Sequence, residues 1–315
     1  MFNIQRLKNL PIGVVATGLG TATLGNAFSL FGMATVRHIL MFAGIFIWIL
    51  GLSKMILYFS QYKSEYKNAA AASLYGSFSM LTMVIGNYIY PIFPAVGTIF
   101  LWSALILHAF FILLFTYCHV IKNFQRDLFI PSWFVTYFGI LVAPIVGKGI
   151  LPDYALKIVV YYSVIPFILV FLPLVRKGLT GGISHKVIHT KTIYLAPPSL
   201  CLAAYLGIFP QSNPYLVCFL YFCILCGLMC VLTHLRLFFS VQFTPIFAAL
   251  TFPMAIAVVA GFRTGKYFES LGYETVSMII SFITQANLLL ATTFISYILL
   301  NWFHLWIPEY SSQTN

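Results

Sequence analysis

The sequence predicts an all-α integral membrane protein of ten transmembrane helices, and three observations carry that prediction. Of the 315 residues, 61% are hydrophobic and only 7% are charged, whereas a soluble chain carries roughly 25% charged residues. So few charges cannot build a water-facing surface, so most of the surface faces lipid. The apolar residues fall into ten runs, each near the roughly 20 residues that cross a hydrocarbon core. Charges lie in the short gaps between runs or close to their ends. Unpaired backbone is prohibitive in lipid, so the spans are helical. The alternation of a membrane β-barrel strand is absent.

In order, the runs occupy residues 11–31, 36–60, 70–91, 94–120, 131–150, 155–175, 192–209, 213–240, 244–262 and 271–303. They make one transmembrane pore domain, 11–303, between a cytoplasmic N-terminal tail, 1–10, and a cytoplasmic C-terminal tail, 304–315. The first run follows Arg6 and Lys8 as a signal peptide would. It lacks a small-x-small cleavage site and is read as a retained helix.

Odd and even runs differ in character. The first reads Pro11-Ile-Gly-Val-Val-Ala-Thr-Gly-Leu-Gly-Thr-Ala-Thr-Leu-Gly-Asn26. The seventh contains Ala196-Pro197-Pro198-Ser199, and the ninth contains Phe243-Thr244-Pro245 and Thr251-Phe252-Pro253. Even runs are bulky, as in Leu105-Ile-Leu-His-Ala-Phe-Phe-Ile-Leu-Leu-Phe115. Small residues permit close helix packing, and helix breakers are tolerated where freed carbonyls are buried in protein or line a watery cavity. An inner layer of odd helices inside an outer ring of even ones follows. Ser77-Phe78-Ser79-Met80 in the third run is echoed by Thr251-Phe252-Pro253-Met254 in the ninth. Such internal repetition fits five helical hairpins around one axis.

The net charge is +11. The bases are scattered between spans rather than gathered on one domain, so they read as topology signals and not as a nucleic-acid footprint. Arg6, Lys8, Lys54, Lys63, Lys67, Lys122, Arg126, Arg176, Lys177, Lys186, Lys191 and Arg236 fall on one side. Arg37, Lys148, Lys157, Arg263 and Lys266 fall on the other. This asymmetry places both termini in the cytoplasm.

The acids are Glu65, Asp127, Asp153, Glu269, Glu274 and Glu309, all in gaps or near helix ends. Cation carriers and proton relays rely on carboxylates inside the membrane, so their absence favours anions as the cargo. Amides freed at helix breaks carry partial positive charge. Thr17, Thr21, Thr23, Ser77, Ser79, Thr82, Ser199, Thr244 and Thr251 are candidate hydroxyl donors, with helix packing as their other role. Lys148, Arg263 and Lys266 would concentrate anions at the outer mouth; interfacial anchoring is their alternative role.

Other chemistries find little support. Cys118, Cys201, Cys218, Cys223, Cys226 and Cys230 lie within apolar runs and read as small buried hydrophobes rather than zinc ligands. His185 and His189 share a loop with Gly178, Gly181 and Gly182 and have no acidic neighbour there, which reads as a solvated basic loop. His108 lies inside a span, where a proton-carrying role is the alternative to packing. No motif calls for a cofactor, a metal or an enzymatic site.

Three stretches resemble the tellurite-resistance/dicarboxylate transporter family. They are Leu10-Pro11-Ile-Gly13 with Gly18-Leu19-Gly20 and Gly25-Asn26; Leu195-Ala-Pro-Pro-Ser-Leu-Cys-Leu-Ala-Ala-Tyr205; and Phe243-Thr-Pro-Ile-Phe-Ala-Ala-Leu-Thr-Phe-Pro-Met-Ala-Ile-Ala257. The group includes TehA-like bacterial proteins, yeast malate and sulfite carriers, and plant guard-cell slow anion channels. The resemblance implies a homotrimer in the cytoplasmic membrane, with one pore per subunit inside five kinked helices. It implies that Phe252 gates the pore and that Phe78, Ser77, Ser79, Pro197, Pro198, Thr251 and Pro253 line it. Ser79 departs from the family, which often has proline there, so the kink of the third helix is expected to be milder or to rest on Gly76 and Gly86. The implied activity is an anion-selective channel for small monovalent anions such as chloride or nitrate. The alternative is a carrier of C4-dicarboxylates or oxyanions such as tellurite or sulfite.

Overall fold

A helix crossing lipid must bury its polar backbone within itself, and it can leave large apolar side chains facing outward. The computed structural model, which describes residues 7–306, is helical on that pattern, with no named strand among those residues. Most of both expected tails, together with Arg6 and Glu309, lies outside the described residues.

Eleven helical segments, short separate 3-10 turns aside, are found among the described residues. They are α1 (Ile12–Leu30), α2 (Ala34–Leu57), α3 (Phe59–Glu65), α4 (Ala69–Ile89), α5 (Pro94–Ile121), α6 (Trp133–Val146) and α7 (Asp153–Leu179). Next come α8 (Ala196–Ile208), α9 (Pro214–Phe238), α10 (Pro245–Ser270) and α11 (Glu274–Trp306). The segment not expected from the apolar runs is α3, whose seven residues are far too few to span a bilayer. Seven segments, α2, α4, α5, α7, α9, α10 and α11, are long and apolar enough to cross a membrane. α10 also runs further than its apolar run, to Ser270 rather than residue 262.

Burial separates two sets. The most apolar windows of α4 and α10 are 83% and 78% buried, against 33–39% for α2, α5, α7, α9 and α11. α1 and α8 are also almost wholly buried. The buried segments pack in the order α1, α4, α6, α8, α10 and back onto α1. α2 covers α1, α5 covers α4, α7 covers α6, α9 covers α8 and α11 covers α10. Phe42, Phe46, Leu113, Leu169, Phe222, Phe282 and Leu289 are exposed on the covering helices. Surface patches of this kind drive association in water and are at home against acyl chains.

The buried helices break by different means. α10 opens as a 3-10 turn over Pro245–Leu250, bends at Thr251 (φ −90°, ψ −76°) and continues as α-helix from Phe252. Pro197 and Pro198 occupy the first turn of α8, which follows a 3-10 segment, His185–Leu195. α6 is interrupted by a 3-10 turn at Gly139–Leu141. α4 breaks at Tyr75 without a proline. α1 departs from the expected set of kinked inner helices, because it runs unbroken. Gly76 does sit at the α4 break, whereas Gly86 serves packing: a Cβ there would come within 2.9 Å of the Phe100 Cβ.

Two turns rely on left-handed glycines that other residues adopt at a cost. Gly32 (φ 79°) ends α1 and Gly272 (φ 82°) ends α10. In each, the next residue's N–H donates back into the helix, Met33 to Phe28 O and Tyr273 to Phe268 O.

Several residues sit differently from their sequence reading. His189 is not in a solvated loop: it is 2% exposed, 4.0 Å from the Phe247 ring centroid and 2.9 Å from the Phe238 carbonyl oxygen. Of the six cysteines only Cys201 is buried, while Cys218 and Cys226 are exposed on α9. Lys54, read as a topology signal, is 4% exposed and bonds Glu65 at 2.7 and 2.8 Å and the Leu10 carbonyl at 2.7 Å. His108 is fully buried, with Nδ1 2.7 Å from the Ser79 hydroxyl and Nε2 2.9 Å from the Thr136 carbonyl. It bridges α5 to α4 and α6 through space left by Gly76 and Gly139. A Cβ at Gly139 would come within 2.5 Å of both His108 Cε1 and Met80 Sδ. Gly139→Ala is therefore expected to cost about 1–3 kcal/mol as an overpacked core change, read as a lower thermal midpoint in detergent.

Candidate functional site

Two cavities lie among the buried helices, and the break in α10 stands between them. The first holds about 110 Å³ and is lined by Ala16, Leu19, Ser77, Met80, Phe134, Leu200, Phe252, Pro253 and their neighbours, with no charged side chain among the described residues. The second holds about 360 Å³. Its lining includes Thr23, Asn26, Arg37, Asn87, Lys148, Phe252, Ile256 and Arg263, and no carboxylate among the described residues. Phe252 is the one side chain common to both linings. It is 6% exposed.

The position of Phe252 follows from local sequence. Pro253 at the first turn of a helix needs no hydrogen-bond acceptor for its nitrogen and has its φ preset. The Thr251 hydroxyl donates to Ala248 O (2.7 Å) and Ala16 O (3.3 Å), tying the break to α1. α1 comes close there because Gly20 has no side chain: a Cβ would lie 2.5 Å from Thr251 Cβ and 2.8 Å from the Phe252 nitrogen. The backbone at Thr251 and Phe252 cannot yield as a flexible side chain would. Gly20→Ala is expected to destabilise the fold by about 1–3 kcal/mol and to displace the Phe252 ring, read together as a lowered thermal midpoint and an altered conductance.

The other expected lining residues divide. Ser77 and Pro253 line the apolar cavity, and Lys148 and Arg263 line the basic one. Phe78 lines neither: its ring stacks on Trp48, centroids 5.8 Å apart, between α4 and α2, the helix that covers α1. Ser79 bonds Gly76 O and His108 and lines neither cavity. Pro197, Pro198 and Thr251 are buried in helix packing and also line neither. Lys266 lies outside the basic cavity, paired with Glu269 at 2.8 Å in an exposed i,i+3 contact.

Most hydroxyls expected to face a conduit donate to their own helix instead. Thr17, Thr21, Ser77, Ser79, Thr82, Ser199 and Thr251 all donate to carbonyls three or four residues back. This is the local back-bonding that Ser and Thr adopt in helices. Thr244 is exposed at the start of the α10 turn. Thr23 is the exception, buried on the basic cavity with no hydrogen-bond partner among the described residues.

Arg37, Asn26 and Asn87 were not singled out in the sequence as site residues. Asn26 and Arg37 face each other because they lie on the two arms of the α1–α2 turn, Arg37 Nε donating to Asn26 Oδ1 at 3.1 Å. Asn87 donates to Val146 O at 2.7 Å, and Arg263 donates to Ala203 O (2.5 Å) and Ile145 O (2.9 Å). Arg263 and Asn87 therefore hold together the ends of α4, α6, α8 and α10. The only available signal was that polar residues cluster at one end of several spans.

A chain helical throughout its described residues, which buries its glycine- and proline-rich helices beneath apolar covering ones, has the build of a membrane-embedded protein. The family is given by comparison: a family model described as voltage-dependent anion channel (SLAC1) matches residues 9–298. The chain belongs to this family, the tellurite-resistance/dicarboxylate transporter group to which its motifs pointed, whose members are channels and transporters. A search of curated proteins finds no match.

Proposed function

We propose that this protein is an anion-selective channel that passes small monovalent anions through a conduit within each subunit, gated by Phe252. The observation that carries the proposal is the shared wall: the Phe252 ring bounds both the apolar and the basic cavity. In this reading α3 lies at the surface, and the other ten segments cross the membrane as five hairpins in a pore domain of residues 11–303. α1, α4, α6, α8 and α10 surround the path, and the remaining five form the outer ring. Pro253 and Ser77 line the apolar half. Lys148 and Arg263 belong to the basic vestibule, together with Arg37.

The physics favours negative charge. A buried ring across an uncharged passage excludes water, and an ion there would lose its hydration without replacement. The α-helical part of α10 starts at Phe252, so the positive end of its dipole lies at the constriction. The basic cavity raises the local anion concentration, and neither cavity carries a carboxylate among the described residues to attract cations. With the buried Lys54 set aside, eleven bases against five support a reading with both termini in the cytoplasm and the basic vestibule at the outer face of the cytoplasmic membrane. A homotrimer is proposed from family membership.

Ion substitution on the purified protein in planar bilayers tests the proposal. A channel's reversal potential follows the imposed chloride or nitrate gradient and ignores an imposed pH gradient. A reversal potential or uptake rate that follows the pH gradient would favour a coupled dicarboxylate or oxyanion carrier.

A further inference from the structure

We infer that the cleft between α7 and α9 holds an acyl chain of a membrane phospholipid, and that Asp153 and Lys157 above it select a head group carrying both a phosphate and an ammonium. The inference is independent of the conduction path, because the cleft shares no lining residue with the two cavities beside Phe252.

The cleft follows from how three helices pack. α7 and α9 flank α8 and leave about 480 Å³ between them, floored by Cys201 and Tyr205 of α8. Val160, Val164 and Ile168 line one wall, and Leu216, Phe219 and Leu220 line the other. The Ser163 hydroxyl beside them already donates to Val160 O at 2.6 Å. Val164, Ile168 and Phe219 are 55%, 54% and 50% exposed, so the cleft opens on the side that faces lipid. Hydrocarbon at that depth fills any apolar space it can reach.

Shape and length favour an acyl chain over a protein helix. Phe167 and Phe219 narrow one end, with ring centroids 6.3 Å apart. A partner's helix, about 10–12 Å across with its side chains, cannot run past them inside the cleft. A single row of methylenes needs only to enter from the other end. Val160 and Ile168 are separated by about 12 Å of helix rise, close to half of a ~30 Å hydrocarbon core and so to one leaflet.

The open end is built for a head group. Tyr161, Tyr205 and Phe209 stand there, with Phe209 5.6 Å from the Tyr161 ring and 5.3 Å from the Tyr205 ring. Aromatic rings with a polar edge settle at the level of lipid head groups. The Tyr205 hydroxyl accepts from the Asn213 N–H at 2.9 Å, and its own proton has no acceptor among the described residues. Lys157 lies one turn before Tyr161, and Asp153 one turn before Lys157. Both are exposed, and neither has an ion pair or hydrogen bond among the described residues. Residues four apart on a helix stand about 5–6 Å apart at Cβ, a spacing that suits the phosphate and ammonium of one ethanolamine head group. Lys157 and Tyr205 supply a cation and a donor for the phosphate, and Asp153 supplies an anion for the ammonium. A phosphatidylglycerol would bring its negative charge to the same lysine but leave Asp153 without a counter-charge.

Native mass spectrometry of the purified, delipidated protein tests this, with phosphatidylethanolamine and phosphatidylglycerol of matched chains added back. The native protein is expected to retain one phosphatidylethanolamine per chain at concentrations where phosphatidylglycerol is not retained. Val164→Trp and Leu216→Trp fill the cleft from opposite rims and are expected to abolish that retention, whereas Leu113→Trp, on the exposed face of α5, is expected to keep it. Lys157→Ala is expected to weaken retention about fivefold, the size of one surface contact between a base and a lipid phosphate. Asp153→Asn is expected to erase the preference between the two lipids. Failure of the native protein to retain phosphatidylethanolamine, or equal retention of both lipids by it, overturns the inference. Retention by both cleft variants equal to that of Leu113→Trp overturns it as well. Should one cleft variant not fold, the other decides. Bound lipid is the readout, so loss of anion current would remove the conduction path and leave this result standing.

Discussion

Phe252→Ala is expected to raise anion conductance by about tenfold or more. Its ring is the one lining group shared by the two cavities, so truncating it joins them. The barrier removed is the cost of stripping water from an ion beside a dry aromatic wall, and each ~1.4 kcal/mol taken off a barrier is tenfold in rate. Truncating a buried Phe also costs stability, about 3–5 kcal/mol in a filled core. Here the loss is expected near the lower end, because the residue borders a cavity on each side and is not wholly enclosed by packed side chains. Phe252→Leu separates the two effects: it keeps an apolar plug of smaller size and is expected to conduct at an intermediate level. Single-channel recordings of the three proteins check the series. Equal conductance across it would remove Phe252 from the gate.

Glu65→Ala is expected to destabilise the fold by about 3 kcal/mol, the low end of the range for breaking a buried ion pair. The Lys54 side chain is 6% exposed and that of Glu65 is 23% exposed, with 2.7 Å between them. Removing the carboxylate leaves a buried ammonium whose one remaining partner among the described residues is the Leu10 carbonyl. It also frees the Tyr75 hydroxyl, which donates to Glu65 at 2.5 Å exactly where α4 breaks without a proline. The network therefore joins the start of α1, the end of α2, the short α3 and the bend of α4. Lys54→Met combined with Glu65→Gln removes the stranded charge and is expected to recover much of the loss, because buried pairs are often replaced by apolar residues at little cost. Thermal midpoints in detergent, measured for the single and double variants, check this. A double variant as unstable as Glu65→Ala would show that the damage comes from the α4 bend and not from the unpaired Lys54.

Which parts of the molecule the sequence discloses has a physical explanation. Lipid accepts only apolar side chains, so α5 and α9 announce themselves through unbroken Leu and Phe. Buried helices need close approach and controlled breaks, so Gly20, Pro197, Pro198 and Pro253 mark α1, α8 and α10. The Thr251-Phe252-Pro253 motif drew attention to the break in α10 for the same reason. Long-range pairing leaves no such trace. Nothing near Lys54 in sequence shows that α3 folds back to bring Glu65 against it. Arg263 looked like a vestibule charge, but its partners are backbone carbonyls of α6 and α8, which carry no residue code. Phe78 matched the pattern of Phe252, yet Trp48 on the covering helix takes its ring. The hydroxyls misled because a helix always offers them a carbonyl one turn back.

Anions are proposed to pass residue 252. The most direct measurement is the reversal potential of Phe252→Ala in a potassium chloride gradient across a planar bilayer. The expected value lies close to the chloride equilibrium potential. A value close to the potassium equilibrium potential would contradict it.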